Sequence, residues 1–175
     1  MNSIINGVDV DKLAEIIRVM ETDPNKASVK FQAETKWISC AYSKTKIRNF
    51  ILEGDEPISY LGSNRVPNPV ETIFAALGSC LAIGFAYNAA ARGINLDALD
   101  ISLEGDLDLR GFLGISDKVR PGYQNMKITF KVKSDASRER VEELFNHVLR
   151  TSPVLDIIRN VEPVTIVLDD GRRAD

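Results

Sequence analysis

The sequence predicts an α+β fold in which antiparallel sheet packs on one buried central helix. Three observations carry this prediction. Period-two hydrophobic alternation appears in two blocks, before and after the middle of the chain. Between them lies a helical stretch apolar on nearly all sides, with clear start and stop signals. The order strands, helix, strands, helix pair lacks the strand–helix alternation of a doubly wound sheet. At 175 residues the chain supports one core, divided as an N-terminal helical extension over 1–27, a main domain over 28–169 and a tail over 170–175.

Val10, Leu13, Ala14, Ile16, Ile17 and Met20 recur at helical spacing behind Asp9, an N-cap residue type, and Asp23-Pro24 ends this first helix. Val29, Phe31, Ala33, Thr35 and Trp37 alternate with polar residues as a strand with one buried face, and a second alternating run, 41–51, pairs with it as a hairpin. The stretch 54–69 holds three prolines and two glycines and reads as a connecting loop. Asn68 then caps the central helix, with Pro69 first, Glu71 third, and Arg92-Gly93 at the end. Ile101, Leu103, Gly105, Leu107 and Leu109, then Met126, Ile128, Phe130 and Val132, mark two further half-buried strands around an apolar turn at 111–114. Val141, Leu144, Phe145, Val148 and Leu149 give an amphipathic helix, Ser152-Pro153 opens a short one, and Val164, Ile166 and Leu168 suggest a last strand. One sheet of this size covers only one side of the central helix, so a second copy of the chain is expected on the other.

Hydrophobic residues at 44%, charged residues at 27% and a net charge of −3 describe an ordinary globular protein without surplus positive charge for a phosphate backbone. Nucleic-acid and membrane partners are not expected. The N-terminus has no basic and apolar signal pattern, and a cytoplasmic location follows. Two cysteines and one histidine cannot build the usual four-ligand zinc site. Neither a metal nor another cofactor is expected.

Cys80 places a thiol among small and apolar residues of the central helix, where it is either an inert core residue or a redox centre. An unperturbed thiol with a pKa of about 8.5 is only ~3% thiolate at pH 7, and apolar burial lowers that fraction further. A reactive Cys80 therefore needs a nearby cation or convergent donors. Glu71 fits a capping box with Asn68. On a straight helix it lies about 13.5 Å and about 180° from Cys80, so a Glu71 that orients a cation beside a thiolate serves the thiolate of a second subunit. Ser152 fits an N-cap whose hydroxyl can also reach the site. Cys40 lies near a hairpin tip, and His147 belongs to the rim of the outer helix.

Asn68-Pro69-Val70-Glu71, Ala75-Ala76-Leu77-Gly78-Ser79-Cys80, Arg92-Gly93-Ile94, Val119-Arg120-Pro121-Gly122 and Ser152-Pro153-Val154 occur in this order. Through them the chain, from about Phe31 to Leu168, resembles the osmotically induced protein C and organic hydroperoxide resistance family (OsmC/Ohr). The resemblance implies an intertwined homodimer with central helices buried between two sheets, and thiol peroxidase chemistry at Cys80. It also exposes two departures. The family's second cysteine is replaced by Ser152, and its catalytic glutamate falls at Val70, with Glu71 one place later. Arg48 and Arg65 are the candidates for its activating arginine. The expected activity is reduction of an organic hydroperoxide by Cys80 and Glu71, with Phe74, Leu77 and Phe85 as the apolar pocket and an external thiol or dithiol as reductant. The rival is an OsmC-like protein that binds a small molecule without turnover.

Overall fold

A computed structural model describes residues 3–160 and 163–169. Strands β1 (Ile4–Ile5) and β2 (Val8–Asp9) form a small hairpin leading into helix α1 (Val10–Thr22), whose N-cap Asp9 accepts from the Lys12 amide at 3.0 Å. Asn6 at the hairpin turn accepts from the Leu96 amide and donates to the Ile94 carbonyl, both at 2.9 Å, tying the extension to the main domain. The amphipathic α1 has no buried residue, and its Ile16, Ile17 and Met20 remain exposed.

Three antiparallel strands follow, β3 (Glu34–Ser39), β4 (Tyr42–Ile47) and β5 (Phe50–Gly54). The run expected as one strand over 41–51 is thus two strands. The turn at Arg48-Asn49 contains an even number of residues, so the period-two phase passes through it unchanged and hides the break. The same turn shortens β3: Glu34 pairs with Lys46, and earlier residues meet the end of β4, so the expected strand positions from Val29 to Ala33 lie outside the sheet.

Helix α2 (Pro69–Ala91) comes next, then the long antiparallel pair β6 (Leu96–Asp106) and β7 (Gln124–Ser134), joined through helix α3 (Leu109–Phe112). Leu109, expected at the end of a strand, is helical because Asp108 caps this turn, accepting from the Arg110 amide at 3.0 Å. The outer face of β6–β7 carries a charge ladder that includes Lys127–Glu104 at 2.7 Å, the composition of a wet surface. Its inner face, with Leu99, Ile101, Leu103, Ile128, Phe130 and Val132, packs on the core residues of α2. Helices α4 (Arg138–Thr151) and α5 (Pro153–Arg159) join the same core through Leu144, Val148 and Leu155. Phe130 joins the two layers, 6.0 Å from the Phe85 ring and edge-on to Phe145 at 5.0 Å.

One expectation, about the C-terminal residues, needs correction. Residues 163–169, expected as a strand, have no regular secondary structure, and Ile166 is 88% exposed. Among the described residues no strand pairs with them in a ladder. Helix α2 is covered by its own chain on one side only: Leu77, Leu81 and Phe85 are fully buried, whereas Ile73, Ile83 and Tyr87 are exposed. Helix α2 is long and apolar enough to cross a membrane by length and composition, a test that a core helix passes equally.

Candidate redox site at Cys80

Helix α2 starts where the sequence demands it. Asn68 accepts from the Glu71 amide and the Glu71 carboxylate accepts from the Asn68 amide, each at 2.8 Å, so two orphan donors of the first turn are satisfied reciprocally. The helix then runs close to β6, since a Cβ on Gly78 would come within 3.1 Å of Leu103. Ile73, Ala76, Cys80, Ile83 and Tyr87 follow at spacings of three and four, which puts them on one stripe. That stripe is the uncovered side of α2. Cys80 lies half-buried within it.

Ser152 is 5% exposed and forms the junction of α4 and α5. Its hydroxyl oxygen accepts from the Leu155 amide at 3.3 Å as the N-cap of α5, and the same oxygen lies 3.3 Å from the Cys80 sulfur. The Leu155 N–H engages one lone pair of this oxygen, and in the contact with sulfur either the hydroxyl or the thiol can be the donor. The two residues, 72 positions apart, are the one pair of expected site residues that the fold brings into contact.

The remaining candidates lie elsewhere. Glu71 is committed to the cap at the start of α2, and its charge faces Tyr123, whose hydroxyl is pushed up first by burial and then by Glu71. Phe74 stacks on Tyr123 with ring centroids 4.3 Å apart over Gly105, where a Cβ would come within 3.1 Å of the Phe74 ring. Leu77 and Phe85, expected as pocket walls, are instead fully buried in the core. Arg48 lies over the Phe50 ring at 5.1 Å and Arg65 over Tyr42 at 5.4 Å. Among the described residues, Ser152 is the one side chain hydrogen-bonded to the Cys80 sulfur, and no cationic side chain bonds to it. His147 is held below its ordinary pKa by burial, then by Arg92 and Arg150. The exposed Cys40 thiol donates to the Leu61 carbonyl at 3.0 Å beside a cavity of about 220 Å³.

Sequence reasoning missed two residues here. Tyr123 follows Arg120-Pro121-Gly122 directly, and an aromatic after that turn is a signal for stacking. Asp55 is 1% exposed and accepts from the Ser63 hydroxyl at 2.7 Å and from the amides of Glu56, Ser63 and Arg65. The Ser63 hydroxyl, opposed by burial and aided by these amides, holds its carboxyl well below the usual range. It thereby organises the loop that delivers Asn68 to the start of α2.

A central helix seated on a two-stranded antiparallel sheet and braced by a helix pair, with a half-buried thiol at its middle, defines an α+β protein built around that helix. The chain belongs to the OsmC-like protein family, whose model matches residues 62–167. Solved structures share the fold. An OsmC-like protein from Mycoplasma pneumoniae superimposes with a TM-score of 0.66 at 14% identity, covering 77% of this chain and 90% of that one. An organic hydroperoxide resistance protein OsmC from Legionella pneumophila gives 0.54 at 14%, covering 75% and 90%. The organic hydroperoxide resistance protein OhrB of Bacillus subtilis gives 0.50 at 15%, covering 75% and 91%. No curated protein sequence matches the chain.

Proposed function

We propose that the protein is a homodimeric thiol-dependent peroxidase that reduces organic hydroperoxides at Cys80. The observation that carries the reading is the buried Ser152 hydroxyl 3.3 Å from the Cys80 sulfur, on a stripe of α2 left open by the chain itself. The Cys80 thiolate attacks the distal peroxide oxygen, the O–O bond breaks, and the departing alkoxide takes a proton, leaving a cysteine sulfenic acid and an alcohol. Because Ser152 cannot form a disulfide, regeneration falls to an external thiol. One thiol condenses with the sulfenic acid and expels water, and a second reduces the mixed disulfide to restore Cys80. Apolar neighbours on the stripe favour an organic peroxide over hydrogen peroxide.

The dimer is part of this reading, supported by surfaces that do not suit a lone chain. Register places Trp37, Thr35, Thr45, Leu52, Ile47 and Phe50 on one face of β3–β5, and Glu34, Lys36, Lys44, Lys46 and Glu53 on the other. The charged face is built for water, with Lys44–Glu53 at 3.1 Å. The apolar face is bare, Trp37 being 73% and Phe50 63% exposed. An apolar sheet face and an open helix stripe on the same chain complement each other across a two-fold axis. Arg48, stacked on Phe50 at the rim of that apolar face, is then carried toward the partner's thiolate and supplies the cation missing within the chain. Glu71 serves to position the cation across the same interface.

The second reading, a binding protein without turnover, is favoured by the substitution of Ser152 for a second thiol. Purified protein treated with cumene hydroperoxide and a dimedone probe decides between them. The peroxidase reading expects one labelled site in wild type and in Cys40→Ser, and none in Cys80→Ser. Absence of label in wild type, or its persistence in Cys80→Ser, overturns it.

A further inference from the structure

Three contacts fix how α4 lies along α2. The Cys80 sulfur is 3.3 Å from the Ser152 hydroxyl, a Cβ on Gly84 would come within 3.7 Å of Val148, and the Arg140 guanidinium donates to the Arg92 carbonyl at 2.7 Å. Steps forward along α2 equal the steps back along α4, so the two helices run antiparallel in a single register that sets Asn88 level with Leu144. Around α4, Val141 and Phe145 line the groove against β7, while Leu144 and Val148 enter the core. Arg140 and His147 come next round the helix, on the flank turned away from the sheet, and Arg150 follows His147 by one turn.

Arg92 reaches this flank from the other helix. Its guanidinium folds back one turn of α2, donating to the Asn88 carbonyl at 3.0 Å and to the Asn88 side-chain oxygen at 2.9 Å. Both Arg92 and Arg150 are close enough to His147 to oppose its protonation, adding to the effect of burial. Among the described residues neither arginine forms a salt bridge. Asp135 acts on Arg140, and Glu143, one turn from His147, is the acid that α4 itself brings near. The negative end of α2 accounts for Arg140, which bonds a terminal carbonyl. It does not account for Arg150, which the register places level with Ala82, about 15 Å back from that end.

We infer that Arg92, His147 and Arg150 form an oxyanion site on the seam between α2 and α4, and that its ligand is a phosphate group. Guanidinium forks match phosphate oxygens bidentately, and the imidazole adds a ring N–H. The Arg92 guanidinium, level with Asn88, stands eight residues, or about 12 Å, along α2 from Cys80. The site is therefore separate from the thiol and needs neither peroxide chemistry nor a dimer.

The chain has one histidine, so proton NMR of the full wild-type protein reads the site through a single imidazole signal. Titration with inorganic phosphate at constant ionic strength should move that signal to saturation and raise the His147 pKa by about 0.5 or more, because a bound anion offsets the two arginines. A signal that phosphate leaves in place overturns the site. Sodium chloride at matched ionic strength is the control, and an equal rise in chloride shows screening alone and also overturns it. Arg150→Ala removes no hydrogen bond among the described residues and should weaken phosphate binding about tenfold; unweakened binding removes Arg150 from the site and overturns the proposal as stated. Arg92→Ala should raise the His147 pKa in the absence of phosphate and suppress the further rise on adding it, and a full phosphate response in this variant counts equally against the site. Phenyl phosphate separates the two sources of the group. Tighter binding than inorganic phosphate assigns the site to phosphate esters, and equal or weaker binding assigns it to the free anion.

Discussion

Ser152 does two jobs with one oxygen, and the two separate by substitution. Ser152→Ala removes the N-cap of α5, which costs about 1 kcal/mol of stability, and also the hydroxyl facing Cys80. A hydrogen bond to a charged group contributes roughly 1.5–3 kcal/mol, so on the proposed peroxidase reading sulfenic acid formation should fall roughly tenfold or more in stopped-flow peroxide consumption. Ser152→Thr keeps the hydroxyl and should retain most of the rate, which distinguishes donation from packing. Ser152→Cys is more telling. With 3.3 Å between the facing atoms, a second sulfur there needs only a small shift to reach a bonding distance of about 2.05 Å. Peroxide should then join Cys80 to the introduced thiol in an intrachain disulfide, about 2 Da lighter by intact mass, and dimedone labelling should disappear.

At the level of elements, the loop between β5 and α2 is an electrostatic device centred on Asp55. Its folded carboxyl is more acidic than in the unfolded chain, so the unfolded state takes up a proton first as pH falls. The contribution is complete above about pH 5 and is lost progressively below about pH 4, downward through the depressed folded value. Wild-type stability should therefore drop steeply with acid over this range, and Asp55→Asn, less stable at pH 7, should show a shallower slope in urea unfolding followed at pH 7, 5 and 4. The sequence made the start of α2 legible because Asn68, Pro69 and Glu71 act within one turn, and β6, β7 and α4 legible because their periods express a single buried face. Cys80 and the Ser152 hydroxyl were legible as residues, but their contact depends on how α5 meets α2, which no local pattern encodes. The break at Arg48-Asn49 was invisible because a two-residue turn preserves strand phase. Asp55 was hidden for a different reason: its partners are mostly backbone amides, which carry no residue identity. Val164, Ile166 and Leu168 show the converse, a strand pattern in the sequence for which one chain provides no ladder.

At the scale of the whole molecule, the proposed dimer joins two apolar surfaces that the described residues of one chain leave exposed. Trp37, Leu52 and Phe50 cover nothing, and Ile73, Ile83 and Tyr87 are covered by nothing, yet the outer faces of both sheets already carry the charges that belong against water. Burial of a large apolar side chain contributes about 1.5–3 kcal/mol, and a two-fold interface counts each substitution twice. Trp37→Glu, which places a carboxylate at the centre of the apolar face, should therefore shift the dimer–monomer equilibrium by at least about 3 kcal/mol, or roughly 150-fold in dissociation constant. Sedimentation velocity across a concentration series measures this directly. If the cation that ionises Cys80 comes from the partner, peroxide consumption per chain should fall with the dimer population and recover at high protein concentration. Arg48→Ala should lower the rate in a protein that remains dimeric. An Arg48→Ala dimer as active as wild type would move the cation elsewhere, and a Trp37→Glu monomer with undiminished turnover would show that Cys80 and Ser152 suffice within one chain.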